Sequence, residues 1–188
     1  MCTRILAIVG SLRVASYNRQ LAEAGVKLAP KDIEVEIFEG LGDVPFYNED
    51  IDQPGTVPSS ADTLRGAVRS ADALLLVTPE YNGSLPPALK NAIDWTSRPQ
   101  PRGAIYQKPV VVIGTSGGRY GGAWAHDDAR KAARIAGATV LDNVALTVPR
   151  PATRFADSPP VSDEEIIAKM PVLLSALAAA ARSRKPNC

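Results

Sequence analysis

The chain has 188 residues and 21 basic against 20 acidic side chains, a formal net charge of +1 at pH 7. That length suits one well-buried domain, residues 1–188, and the balanced charge excludes an electrostatic pull toward nucleic acid or an anionic membrane surface. Its two cysteines, Cys2 and Cys188, stand at opposite ends, which reads as a reduced, cytoplasmic protein rather than a disulfide framework; neither a signal peptide nor an apolar run of membrane-spanning length is expected.

Arg4-Ile5-Leu6-Ala7-Ile8-Val9 is short, apolar and β-branched, as expected of a strand covered on both faces of a parallel sheet. It empties into Gly10-Ser11-Leu12-Arg13-Val14-Ala15-Ser16-Tyr17-Asn18-Arg19, and then Leu21, Ala22, Ala24, Gly25 and Leu28 return at helical spacing. Ser11, Ser16 and Asn18 therefore gather at a helix N-terminus, where unpaired N–H groups and the helix dipole favour an anion. Arg13 adds a fixed charge whose geometry suits phosphate. Taken singly, Ser16 reads equally well as an N-cap, Ser11 as a turn residue and Arg13 as a solvated side chain.

Ile33 to Phe38 alternates apolar with charged residues, a half-buried strand near a sheet edge. From Gly40 to Pro58 the composition is that of a surface loop, with Val44, Pro45 and Phe46 as an apolar tip. Ala61 to Ser70 reads as a helix with Leu64, Ala67 and Val68 inward. The third strand, Ala73 to Thr78, is unbroken in its apolarity and ends in Pro79-Glu80-Tyr81-Asn82-Gly83-Ser84. A helix follows with Pro86 or Pro87 in its first turn and Leu89, Ile93 and Trp95 available for burial. The fourth strand, Pro109 to Gly114, leads into Thr115-Ser116-Gly117-Gly118-Arg119-Tyr120-Gly121-Gly122 and a helix from about Ala123 to Gly137. Val140 to Val148 is a fifth strand, bent near Asp142 and Asn143. A proline-rich loop from Pro149 to Pro160 precedes a last helix opened by the capping-box spacing Ser162-Asp163-Glu164-Glu165, which Pro171 is expected to kink or restart.

Five strands alternating with helices imply an α/β fold: a three-layer sandwich with a five-stranded parallel sheet in the flavodoxin-like order 2-1-3-4-5 and helices on both faces. In such sheets ligands bind beyond the carboxyl ends of the strands, where the order reverses. The loops after strands one, three and four converge there. One offers a phosphate site, one a proline-stiffened turn with an aromatic ring and an amide, and one bare glycine backbone that a ligand can approach closely. Together they describe a mononucleotide-like ligand with a planar ring.

These three motifs closely resemble those of the NADPH-dependent FMN reductase family, which includes quinone, azo-dye and chromate reductases. The resemblance spans about Ile5 to Val148. It implies FMN held without a covalent bond: Ser11, Arg13, Ser16, Tyr17 and Asn18 at the phosphate, Pro79, Glu80, Tyr81, Asn82 and Gly83 along the ribityl chain and isoalloxazine ring, and Ser116, Gly117 and Gly118 at the pyrimidine edge. It also implies hydride transfer from NADPH or NADH to the flavin, electrons then passing to a quinone, free flavin or another small acceptor, and a homodimer or homotetramer with the flavin near the subunit contact. Arg119 is a candidate for the 2′-phosphate of NADPH. The cofactor carries such chemistry, so no catalytic acid or base is assigned.

The lone His126, beside Asp127 and Asp128, reads as a capping or surface residue. No His and Cys cluster has metal-ligand spacing, and no G-x-S-x-G elbow supports a triad drawn from Ser116, His126 and Asp142. The competing function is a flavodoxin-like electron carrier without nicotinamide turnover, against which stand the arginine in the first loop and the lack of strong acidity. A dinucleotide-binding Rossmann domain would use Glu39 on a ribose hydroxyl but lacks G-x-G-x-x-G; a P-loop hydrolase lacks its Lys-Ser/Thr ending. A structural protein with an empty cleft would purify colourless.

Overall fold

A computed structural model describes residues 2–184. Its elements follow the order β1 (Thr3–Val9), α1 (Tyr17–Leu28), β2 (Ile33–Ile37), α2 (Ser59–Ser70), β3 (Ala73–Thr78), α3 (Pro87–Thr96), β4 (Pro109–Ser116), α4 (Ala123–Ile135), β5 (Thr139–Val140), β6 (Leu146–Pro149), α5 (Pro151–Arg154) and α6 (Glu164–Ser183). All strand pairings are parallel, in the order β2-β1-β3-β4-β5, with β6 also on β4.

The unbroken apolar strands are explained by their two faces. Ile5, Ala7, Val9, Leu75, Val77, Val111 and Ile113 pack under α1 and α6, while Leu6, Ile8, Leu74, Leu76, Val110 and Val112 pack under α2, α3 and α4. A strand buried on both sides has no reason to alternate. β2, at the edge, does alternate, and Arg4 of β1 pairs with its Glu36. The inward residues of the helices are those the periodicity selects: Leu64 and Val68, Leu89, Ile93 and Trp95, Ala129 and Ala133 are all buried.

Three expectations need correction. The fifth strand is two strands. Val140 lies opposite Val110 and Leu146 opposite Ile113, so the edge chain spends six residues where β4 advances three, and the surplus around Asp142 and Asn143 loops out. Asp142 is held there by Arg134, 2.6 Å away. Secondly, α6 neither stops nor restarts at Pro171. Such a helix forgoes one backbone hydrogen bond at the proline, and the burial of Ile166, Met170, Leu173, Leu174 and Leu177 across the sheet outweighs that loss. Its cap is Asp163, whose carboxylate accepts from the Ile166 N–H at 3.1 Å. Thirdly, α6 is long and apolar enough to cross a membrane by length and composition. Its inward stripe lies on the sheet as core. The proline-rich loop also contains α5 and a short 3-10 turn at Pro160–Ser162. Cys2 is free and exposed; Cys188 lies outside the described residues.

Candidate cofactor site at the carboxyl edge of the sheet

The loops after β1, β3 and β4 meet in a cleft of about 160 Å³ lined by Ser11, Arg13, Ser16, Tyr17, Asn18, Pro79, Glu80, Tyr81, Thr115, Ser116, Gly117 and Pro151. Ten of the thirteen residues singled out from the sequence stand on its wall. Asn82, Gly83 and Gly118 do not. Thr115 and Pro151 are additions: Thr115 shows no ligand chemistry in its side chain, whose hydroxyl donates to the Val148 carbonyl at 2.6 Å, and Pro151 sits in a stretch without a motif.

The first loop ends at Ser16, whose Oγ accepts from the Arg19 N–H at 3.3 Å and caps α1. No acidic residue occupies the first turn, so the positive helix end faces the cleft unopposed. Arg13 is exposed and donates to the Ala15 carbonyl at 2.9 Å, which folds its guanidinium back over the loop. Arg19 is engaged otherwise: Glu39 and Glu23 meet it at 2.8 and 3.1 Å, raising its pKa further and lowering that of Glu39. This pairing also occupies the carboxylate a Rossmann reading requires for a ribose.

Asn18 departs from its expected role. It is buried, and its amide forms two hydrogen bonds with the Thr115 backbone, donating to the carbonyl and accepting from the N–H, each at 3.0 Å. The side chain thus ties the start of α1 to the end of β4, and it positions two walls of the cleft.

The second loop is rigid for reasons visible in its residues. Tyr81 and Ser84 exchange backbone hydrogen bonds at 3.0 and 3.1 Å, and Asn82 and Gly83 between them have φ of 51° and 77°. Such a turn needs two residues tolerant of positive φ, and Asn-Gly supplies them. Glu80 accepts with its carboxylate from the Trp124 and Ala125 N–H groups at 3.2 and 3.3 Å, capping α4. Ser84 donates to Asp128 at 2.6 Å. Loop and helix are therefore one unit.

Near the end of β4, leading into the third loop, Gly114 is required by close approach, since a Cβ there would stand 2.0 Å from the Thr78 carbonyl oxygen. Around Gly117 and Gly118, by contrast, a Cβ would meet open space, so these positions leave peptide backbone bare to an approaching ligand. Arg119 stacks on Tyr120, 4.6 Å from its ring centroid.

His126 is buried at 1% exposure, contrary to its surface reading, and its Nε2 has no hydrogen-bond partner among the described residues. It lies on one stripe with Ala129 and Ala133 and packs below Gly114. Burial, then the charge of Arg130, pushes its pKa down to about 4. Folded protein keeps this imidazole neutral while the unfolded chain takes up a proton near pH 6.5, so stability falls as pH drops from 6.5 toward 4. Urea unfolding is expected to show a loss of about 2 kcal/mol between pH 8 and pH 5 that a His126→Asn variant lacks; equal losses in both proteins would refute this.

The cleft fits FMN at its phosphate end by donor chemistry: a helix mouth without acid, two hydroxyls and a guanidinium, facing bare glycine backbone. The model of the NADPH-dependent FMN reductase family matches residues 3–152. The chain is 44% identical over 130 residues to a 2-hydroxy-1,4-benzoquinone reductase of Burkholderia sp., covering 69% of each. It is 45% identical over 127 residues to a quinone reductase of Pseudomonas putida, covering 68% of this chain and 67% of that one. Among solved structures, it is similar to the FerB flavoenzyme NAD(P)H:(acceptor) oxidoreductase of Paracoccus denitrificans at 31% identity and a TM-score of 0.84, over 96% of this chain and 97% of that one.

Proposed function

Because the chain belongs to the NADPH-dependent FMN reductase family, we propose that this flavin-dependent oxidoreductase holds FMN in the cleft between β1, β3 and β4 and passes electrons from NAD(P)H to quinones. The observation that carries the reading is the convergence of three separate loops on one cleft whose phosphate end is a helix mouth. Ser11, Arg13, Ser16 and the first-turn N–H groups of α1 would hold the phosphate. The backbone of Pro79 to Gly83, with the ring of Tyr81, would line the ribityl chain and ring, and the Ser116–Gly118 backbone would meet the pyrimidine edge. FMN held there would supply the redox chemistry, hydride acceptance from a nicotinamide and two-electron donation to an acceptor. The protein binds, orients and stiffens. Asn18 and Glu80 act through other residues, one joining α1 to β4 and the other fixing the second loop on α4.

The quinone acceptor is supported by the Burkholderia and Pseudomonas relatives, both of them quinone reductases. A homo-oligomer is supported by the exposed Tyr120 and Trp124, whose ring centroids lie 6.0 Å apart in the third loop and at the start of α4. The sparse cysteine usage is in keeping with a cytoplasmic protein acting as one FMN-binding domain, and the balanced charge with one that has no nucleic-acid or membrane partner.

Purified protein is expected to be yellow and to bleach on anaerobic addition of NADPH or NADH. A colourless chain that fails to bind FMN at micromolar concentration would end the reading. A yellow protein that neither nicotinamide bleaches would point instead to an electron carrier.

A further inference from the structure

The third loop leaves β4 beyond Gly114 and returns to α4 at Gly122, and one side chain lies between its two limbs. A Cβ at Gly114 would stand 2.8 Å from His126 Nε2, and one at Gly122 would stand 3.7 Å from the same atom. From outside, the limbs are held by backbone. The Thr78 carbonyl oxygen abuts Gly114, and at Gly121 a Cβ would come within 2.9 Å of backbone atoms of Val148 and Pro149 in β6. His126 is thus the inner wedge of the loop. Its Nδ1 lies 3.5 Å from the Thr147 hydroxyl, while its buried Nε2 has no partner among the described residues. A buried polar atom left unpaired is costly, and its presence calls for a role. Gly117 and Gly118 carry no side chains that could fix the tip, so the tip takes its place from the two limbs.

We infer that His126 is a positioning residue for cofactor binding: as a neutral imidazole between Gly114 and Gly122 it sets the spacing of the limbs and aims the Ser116–Gly118 backbone at the pyrimidine edge of FMN, and as an imidazolium it parts them. The inference rests on the reductase reading and adds what holds the third loop in its binding position. An imidazolium donates from both nitrogens, and Nε2 has no acceptor among the described residues. Water is the acceptor that remains, and admitting it separates the limbs. The charged groups around the ring are Arg130, which repels a second cation, and Asp127, both of its own helix. From the second loop comes Glu80, whose carboxylate is spent on the Trp124 and Ala125 N–H groups. β4 and β6 face the ring with Gly114 and Thr147, which do not titrate.

The test follows release of FMN from the loaded full chain on dilution, read as the fluorescence of free FMN, in the wild type and in His126→Gln, whose amide keeps a polar nitrogen but takes no charge. Burial holds the imidazole pKa at about 4 against 6.5 in water, so between pH 8 and pH 5 parted limbs are favoured by up to about 30-fold. Wild-type release is expected to quicken over that range at least ~5-fold more than release from His126→Gln. The phosphate of FMN takes up its own proton near about pH 6 in both proteins alike, so the difference between them is the readout. Far-UV circular dichroism at pH 5 separates parting of the loop from loss of the fold. At pH 8, His126→Gln is expected to bind FMN within about threefold of the wild type and His126→Ala about tenfold more weakly, the scale of a misaimed hydrogen bond or two. A smaller pH difference, a His126→Gln as weak as His126→Ala, or an undiminished affinity in His126→Ala would each overturn the inference. Should His126→Ala not fold, the comparison with His126→Gln decides alone. Failure of the reductase reading would show differently, as a wild type that takes up no FMN at any pH.

Discussion

Replacing Arg13 and Ser16 together by alanine is expected to weaken FMN binding by about 10²- to 10³-fold with the fold retained. A hydrogen bond to a charged group contributes about 1.5–3 kcal/mol, and a neutral one about 1 kcal/mol. Arg13 is exposed and donates only within its own loop, to Ala15, so its removal unsettles nothing in the core. Ser16 also caps α1, and its loss costs the helix about 1 kcal/mol, which a domain of this size tolerates. FMN fluorescence quenching measures the affinity, and urea unfolding reports the fold. Unchanged affinity in the double variant would remove the phosphate assignment.

Asp52→Ala is expected to destabilise the protein by about 3–5 kcal/mol, a large share of the roughly 5–15 kcal/mol that holds a typical domain. Asp52 and Arg65 form a two-pronged pair at 2.7 Å on both arms, with side chains 9% and 5% exposed. Arg65 also donates to the Trp95 carbonyl at 2.8 Å and lies 5.0 Å from the Trp95 ring centroid. Removing the carboxylate leaves a buried guanidinium without its counter-charge, which is the costly case; the added change Arg65→Leu is expected to restore part of the loss. The Arg65 hydrogen bonds hold the Asp52 carboxyl below the usual range, so the pair's contribution is present at neutral pH and is lost only as strong acid protonates it. A loss below about 1 kcal/mol for Asp52→Ala, the scale of an exposed pair, would show that this contact is not structural.

The order of the sheet was readable because β1, β3 and β4 are buried on two faces and carry no polar interruption, a signature local enough to survive without coordinates. The gathering of three loops followed from that order. Individual side-chain directions did not. Asn18 has the composition and position of a phosphate ligand, yet its amide is satisfied by Thr115, ninety-seven residues away, a partnership that only the folded chain specifies. Glu80 likewise serves a helix forty-four residues downstream. His126 could have been placed inward, because it repeats with Ala129 and Ala133 at helical spacing; its acidic neighbours masked that stripe. Arg65 sits between Leu64 and Val68 on the buried face of α2, and a charged residue in that stripe was itself the sign of a hidden partner. The break at Asp142 and Asn143 was visible as a bend, but its length depends on the parallel register against β4.

That three-residue excursion has an outcome for life at high concentration. A border strand of two residues, a detour and four more presents no long straight ladder to a neighbouring molecule, while the opposite border carries Glu34 and Glu36 along its length. Interrupted strands and charged rims are the devices by which natural sheets resist polymerising, so both margins of this sheet oppose growth by edge pairing and leave its helices and loops as the surfaces for assembly.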